Sequence, residues 1–132
     1  MLRKKLTYVD FAGNERTEEF RFNLTEAELM RLETSLEGGL KETLERMIEA
    51  QDAKEIMRFF ERIIMMAYGE MSEDGRHFRK GQNGEKAADF KESAAYAALF
   101  RELIASSEAA AAFFNGIVPK VPSKGQSEKA QV

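Results

Sequence analysis

Polar and apolar residues alternate over "RKKLTYVDF" (residues 3–11), with Leu6 and Tyr8 on one face and Thr7, Val9 and Phe11 on the other. That period of two predicts a strand. "AGNE" follows with turn chemistry at Gly13 and Asn14, and "RTEEFRF" returns with Phe20 and Phe22 two apart. Residues 3–22 therefore read as a β-hairpin. A hairpin alone is marginal in water, so its apolar face should lie on helices.

From residue 25 the period lengthens. In "NLTEAEL", Thr25 and Glu28 have the spacing of a capping box, and Leu24 can staple to Leu29. Leu29, Leu32 and Leu36 continue as a helical stripe until Gly38 and Gly39 stop it with a sharp bend. A short second helix carries Leu40, Leu44, Met47 and Ile48, and "AQDAKE" restarts the chain with Asp52 and Glu55 as a cap-like pair.

The third helix, residues 53–68, is the unusual one. Its apolar residues, among them Ile56, Met57, Phe59, Phe60, Ile63, Ile64, Met66 and Tyr68, sweep about 200° of the helix wheel, roughly twice what one core-facing side needs. Met65 falls outside even that arc, among Lys54, Arg58 and Arg62. Either the helix is central and touched on two sides, or part of its apolar surface awaits a partner. Gly69 should cap its C-terminus.

"EMSEDGRHFRKGQNGEK" (residues 70–86) reads as an exposed loop, or as turns bracketing a tiny hairpin around residues 76–80. A helical pattern returns over residues 87–105, with Phe90, Ala94, Ala97, Phe100 and Ile104 along one face. Ser106 or Ser107 caps a last helix bearing Phe113 and Phe114, which Pro119 ends. The fold class is α+β, mostly α: an N-terminal hairpin packed on a bundle of four to five short helices. One domain is expected over residues 1–118, with residues 119–132 a disordered tail.

Composition narrows the function more than the motifs do. The 132 residues contain no cysteine, which excludes disulfides, thiolate metal sites and cysteine nucleophiles. The longest apolar run, Ile63 to Tyr68, is far below the roughly 20 residues needed to span a bilayer, and the N-terminus lacks a signal-peptide pattern. A cytoplasmic protein is expected, with no membrane partner. The single histidine, His77, has no nucleophile or second ligand beside it, and the glutamates at 42, 45 and 49 follow one solvated helix face. No phosphate-binding or calcium-loop spacing is present, so neither an enzyme nor a cofactor is expected. "LRKKL" and "RHFRK" are basic, but a net charge of −3 and flanking acids argue against nucleic-acid binding.

What remains is apolar surplus: seven methionines and ten phenylalanines. Methionine fills irregular cores and also lines surfaces that accept variable apolar segments. The candidate partner-binding residues are Met57, Ile64, Met65, Met66 and Tyr68, with Phe59 second in line.

"LTYVDFAGNERTEEFRFNLTEAEL", then "EGGLKETLERMIEAQDAKEIMRFFERIIMMAYGEMSEDGRHFRK" with its "YGEMSEDGRHF", and finally "AYAALFRELIASSEAAAAFFNGIVPK" together resemble the phage tail assembly chaperones of long-tailed phages and prophages, chiefly of Gram-positive bacteria. The likeness runs over about residues 5–120 in one order. It implies a non-enzymatic protein that binds the helical, hydrophobic tape-measure protein in the host cytoplasm and keeps it soluble until the tail tube polymerises. The partners it implies are the tape-measure protein, with the major tail protein and a second copy of the chain behind it. A structural component retained in the virion is the alternative, and a small nucleic-acid-binding regulator a weaker one.

Overall fold

The computed structural model describes residues 1–119. The hairpin forms as the alternation requires: β1 (Leu2–Val9) pairs antiparallel with β2 (Glu15–Phe22), Leu2 opposite Phe22 and Val9 opposite Glu15. Its turn is organised by Asp10, whose carboxylate accepts from the amides of Ala12 (3.0 Å) and Asn14 (2.9 Å). Gly13 takes the positive φ (89°) that closes the turn.

The sheet does not stop there. Tyr68–Met71 (β3) pairs with the end of β2 and Phe78–Arg79 (β4) pairs with β3, giving the order β1-β2-β3-β4. Gly69 is therefore not a helix cap. It sits opposite Arg21 in the ladder, where an added Cβ would lie 2.6 Å from the Phe78 ring and 3.0 Å from the Arg79 carbonyl. The residue is glycine because β4 crosses it closely.

Six α-helices follow among the described residues, one more than the upper expectation: α1 (Glu26–Ser35), α2 (Gly39–Ala50), α3 (Ala53–Ala67), α4 (Glu85–Lys91), α5 (Ala94–Ala105) and α6 (Ser107–Ile117). The capping box at Thr25 and Glu28 forms, as do the Asp52 and Ser106 caps. Both glycines at 38 and 39 adopt positive φ, and Glu33 reaches across the bend to accept from the Leu40 amide at 2.9 Å.

The stretch expected as one helix over 87–105 is two. The Ser93 hydroxyl donates to the Phe90 carbonyl at 2.7 Å, and the chain turns there before restarting. The break rotates the second half, so α5 buries Ala95, Leu99 and Leu103, while Ala97 and Ile104 of the expected face are exposed.

The core is one continuous cluster running from Leu6 and Phe22 of the sheet to Phe113 and Ile117 of α6. At its centre Tyr68 stacks on Phe90 with ring centroids 4.4 Å apart, and Phe22 meets Phe113 edge-on at 5.2 Å. The tail expected over 119–132 lies, apart from Pro119, outside the described residues.

Candidate functional site

The wide apolar arc on α3 resolves into two populations. Phe59, Phe60, Ile63, Ile64 and Ala67 are buried, and Ile56, Met65 and Met66 are half-buried against the same core. Met65, placed by the wheel among charged residues, still packs on the core, because α3 is enclosed on more than one side. Its Arg62 side chain reaches α1, donating to the Ser35 hydroxyl at 2.9 Å.

Of the six candidate contacts, the structure leaves one well exposed: Met57, with 44% of its surface accessible. Ile64 is fully buried, and Phe59 and Tyr68 nearly so, which takes all three out of direct reach of a partner. The wheel misplaced Tyr68 because α3 ends at Ala67 and Tyr68 opens β3, swinging its ring into the aromatic cluster.

Met57 opens into a groove of about 540 Å³ between the α2–α3 and α5–α6 pairs. Its walls follow helical spacing. From α3 come Ala53, Ile56, Met57 and Phe60, at i, i+3, i+4 and i+7; from α6 come Ser107, Ala110, Ala111 and Phe114, at the same intervals. Leu44, Met47 and Ile48 of α2 and Leu103 and Ile104 of α5 complete it. Small residues, Ser107, Ala110 and Ala111, line the α6 side, and the larger Ile56, Met57 and Phe60 line the α3 side. Ile48 and Ile104 are 68% and 51% exposed, unusual for isoleucines that share one concavity.

Among the described residues no charged side chain lines the groove; Ser106, Ser107 and Asn115 are its polar members. Against these described residues a charged guest would lose its hydration without compensation. Apolar side chains projecting from a helix at i, i+3, i+4 and i+7 would fit, each gaining about 25 cal/mol per Å² of surface covered. Sequence reading found Met57 alone of the exposed lining residues. The paired stripes at 53/56/57/60 and 107/110/111/114 were the available signal, but only the fold shows that they face one another.

The basic loop has a different job. Lys80 extends its ammonium inward to the Glu28 carboxylate (2.8 Å) and to the carbonyls of Asn23 (2.8 Å) and Met66 (2.6 Å). It thus ties together the end of the hairpin, the start of α1 and the last turn of α3. Burial pushes the Lys80 pKa down, more than the attraction of Glu28 restores. Burial works to raise the Glu28 carboxyl, but the Lys80 and Thr25 hydrogen bonds outweigh it and hold its pKa below the ordinary value. One of the three cations of "RHFRK" is therefore committed to the fold. His77 sits in an exposed turn, its amide donating to the Ser72 hydroxyl at 3.0 Å.

Among the described residues no three histidines or carboxylates gather to hold a metal, and no helix is long and apolar enough to cross a membrane. No curated protein and no solved structure matches the chain. The family model described as phage tail assembly chaperone matches residues 1–130, and the chain belongs to that family.

Proposed function

We propose that this chaperone binds the tape-measure protein and keeps it soluble in the host cytoplasm during tail assembly, taking apolar helical segments of that client into the groove between α2–α3 and α5–α6. One observation carries the reading: a concavity of about 540 Å³, lined among the described residues by no charged side chain, in which Ile48, Met57 and Ile104 remain substantially exposed. A small protein that leaves three large aliphatic side chains around one hollow loses solubility unless something covers them. Methionine and isoleucine accept different partners with little directional demand, which suits a client presenting many unlike stripes. Met65 and Met66, half-buried against the core, lie outside the groove lining and are not part of the proposed contact.

Co-expression with the tape-measure protein tests this. The soluble yield of the client should rise with the wild-type chaperone and fall to the unassisted level with Met57→Glu combined with Ile104→Glu. Equal rescue by the wild type and the variant would remove the groove from the mechanism. No rescue by the wild type would remove the client. Mass spectrometry of purified particles should find the chaperone scarce or absent, as expected for a protein that leaves before the virion is complete.

A further inference from the structure

The sheet turns one face to the helices and leaves the other open. The helices meet β1 through Leu2, which lies against Gly116, and Lys4, which pairs with Glu102. Arg3 and Lys5 point the opposite way, and both are exposed. Register carries that open face across the sheet. Arg3 lies opposite Arg21, which lies opposite Gly69; one step along, Lys5 lies opposite Glu19. Met71 and Phe78, paired between β3 and β4, complete the face. The Phe78 ring covers Gly69, and Arg21 donates to the Met71 sulfur at 3.7 Å.

The charges on these two rows do not balance. Like charges directly opposite on neighbouring strands destabilise a sheet, yet Arg3 and Arg21 are such a pair, and Lys5 stands one strand repeat away. Among the described residues the rows carry one carboxylate, Glu19, which reaches Arg21 at 3.5 Å. Three cations thus share one anion, on a chain whose net charge is −3. Beside them Met71 is 41% exposed and Phe78 half-buried, so an apolar shelf adjoins the excess of positive charge.

We infer that this open face docks an acidic helix of a partner protein, with carboxylates on Arg3 and Arg21 and an apolar side chain on Met71 and Phe78. Spacing favours a helix running across the strands. Directly opposed residues of an antiparallel pair stand about 4.5–5.5 Å apart, and helix residues at i and i+4 about 5–6 Å apart. Two glutamates one turn apart therefore meet the two arginines together, each able to form a two-point carboxylate pair. A residue at i+7, about 10.5 Å along the helix, falls over β3, about 10 Å from β1. A polyphosphate chain fits less well, because Glu19 stands within the patch and the acidic chain as a whole repels it. None of these residues lines the groove, so the inference does not depend on what the groove binds.

Fluorescence anisotropy with the full chain tests it, the probe being a labelled alanine-based helical peptide with Glu at i and i+4 and Leu at i+7. The wild type should bind this peptide, more weakly as salt rises. Replacing both glutamates of the peptide with Gln should weaken binding by about tenfold. Arg3→Glu in the protein should weaken it by about the same factor, and a peptide with Lys in place of the first Glu should recover the loss. Met57→Glu, which leaves the sheet face intact, should bind like the wild type. A wild type that does not bind, equal binding of the Gln peptide, no recovery by the Lys peptide, or binding lost in Met57→Glu would each overturn the proposal. So would tighter binding of a single-stranded oligonucleotide of the same charge, which would make the face a phosphate site. Recovery by the Lys peptide cannot arise from a misfolded Arg3→Glu chain, so the test survives any loss of stability in that variant.

Discussion

Lys80 shows how little a residue's charge reveals about its role. Read in "RHFRK" it belongs to a basic patch; in the fold its side chain is 19% exposed and its ammonium spans three chain segments. Replacing it with Met removes the cation from Glu28, which keeps its bonds from Thr25, and leaves two carbonyls without this donor. The expected loss is about 2–3 kcal/mol, below the range for a fully buried pair because water still reaches both partners. Chemical denaturation of Lys80→Met would show it.

Glu28 has a depressed pKa, so it binds protons less readily folded than unfolded. Its stabilisation is present above the unfolded value and is lost as pH falls through the lower folded one. The stability gap between wild type and Glu28→Gln should therefore narrow as pH is taken below about 4.5. A gap that stays constant down to pH of about 2 would contradict the linkage. At Gly69 the constraint is steric. Gly69→Ala should cost about 1–3 kcal/mol, and trimming Phe78 to Ala in the same chain should return part of it, although the Arg79 carbonyl remains close.

At the scale of elements, α3 presents a core face and, beside it, a groove face. Ile63 and Ile64 are completely buried, so truncating Ile64 to Ala should cost about 2–4 kcal/mol. Met57→Glu, one face away, should shift stability by only about 0.5 kcal/mol while removing groove binding. Unfolding midpoints of the two variants separate these faces; comparable destabilisation would mean that Met57 is a core residue. The helix was legible in the sequence through its caps and its period, since Asp52 binds the Glu55 amide at 3.3 Å where a cap was expected. The division of its wide arc was not legible, because a helix wheel records which residues are apolar and not which neighbour covers them. The break at Ser93 was missed for a related reason: a serine fits a helical period, and its bond to a carbonyl three residues back declares itself only in three dimensions.

For the whole molecule, the groove is floored by core residues such as Met47, Phe60 and Leu103 and rimmed by the exposed Ile48, Met57 and Ile104, so its rim can be altered without opening the core. A helical tape-measure peptide that fills the groove should stabilise the chaperone by about 2.7 kcal/mol at a hundredfold excess over its Kd. Met57→Glu should cancel that gain, and a peptide that raises the melting temperature of both proteins equally would be binding elsewhere.

Local signals in the chain determined the hairpin, the caps at Thr25, Asp52 and Ser106, the bend at Gly38 and Gly39 and the α+β class, because each depends on neighbours within a few residues. Tertiary structure alone decided that Tyr68 enters the core, that "YGEM" becomes a strand, that Lys80 is a tie between segments and that α3 and α6 hold their stripes apart. Those outcomes depend on which distant surfaces meet, and a pattern of polarity along one chain carries no distance between elements.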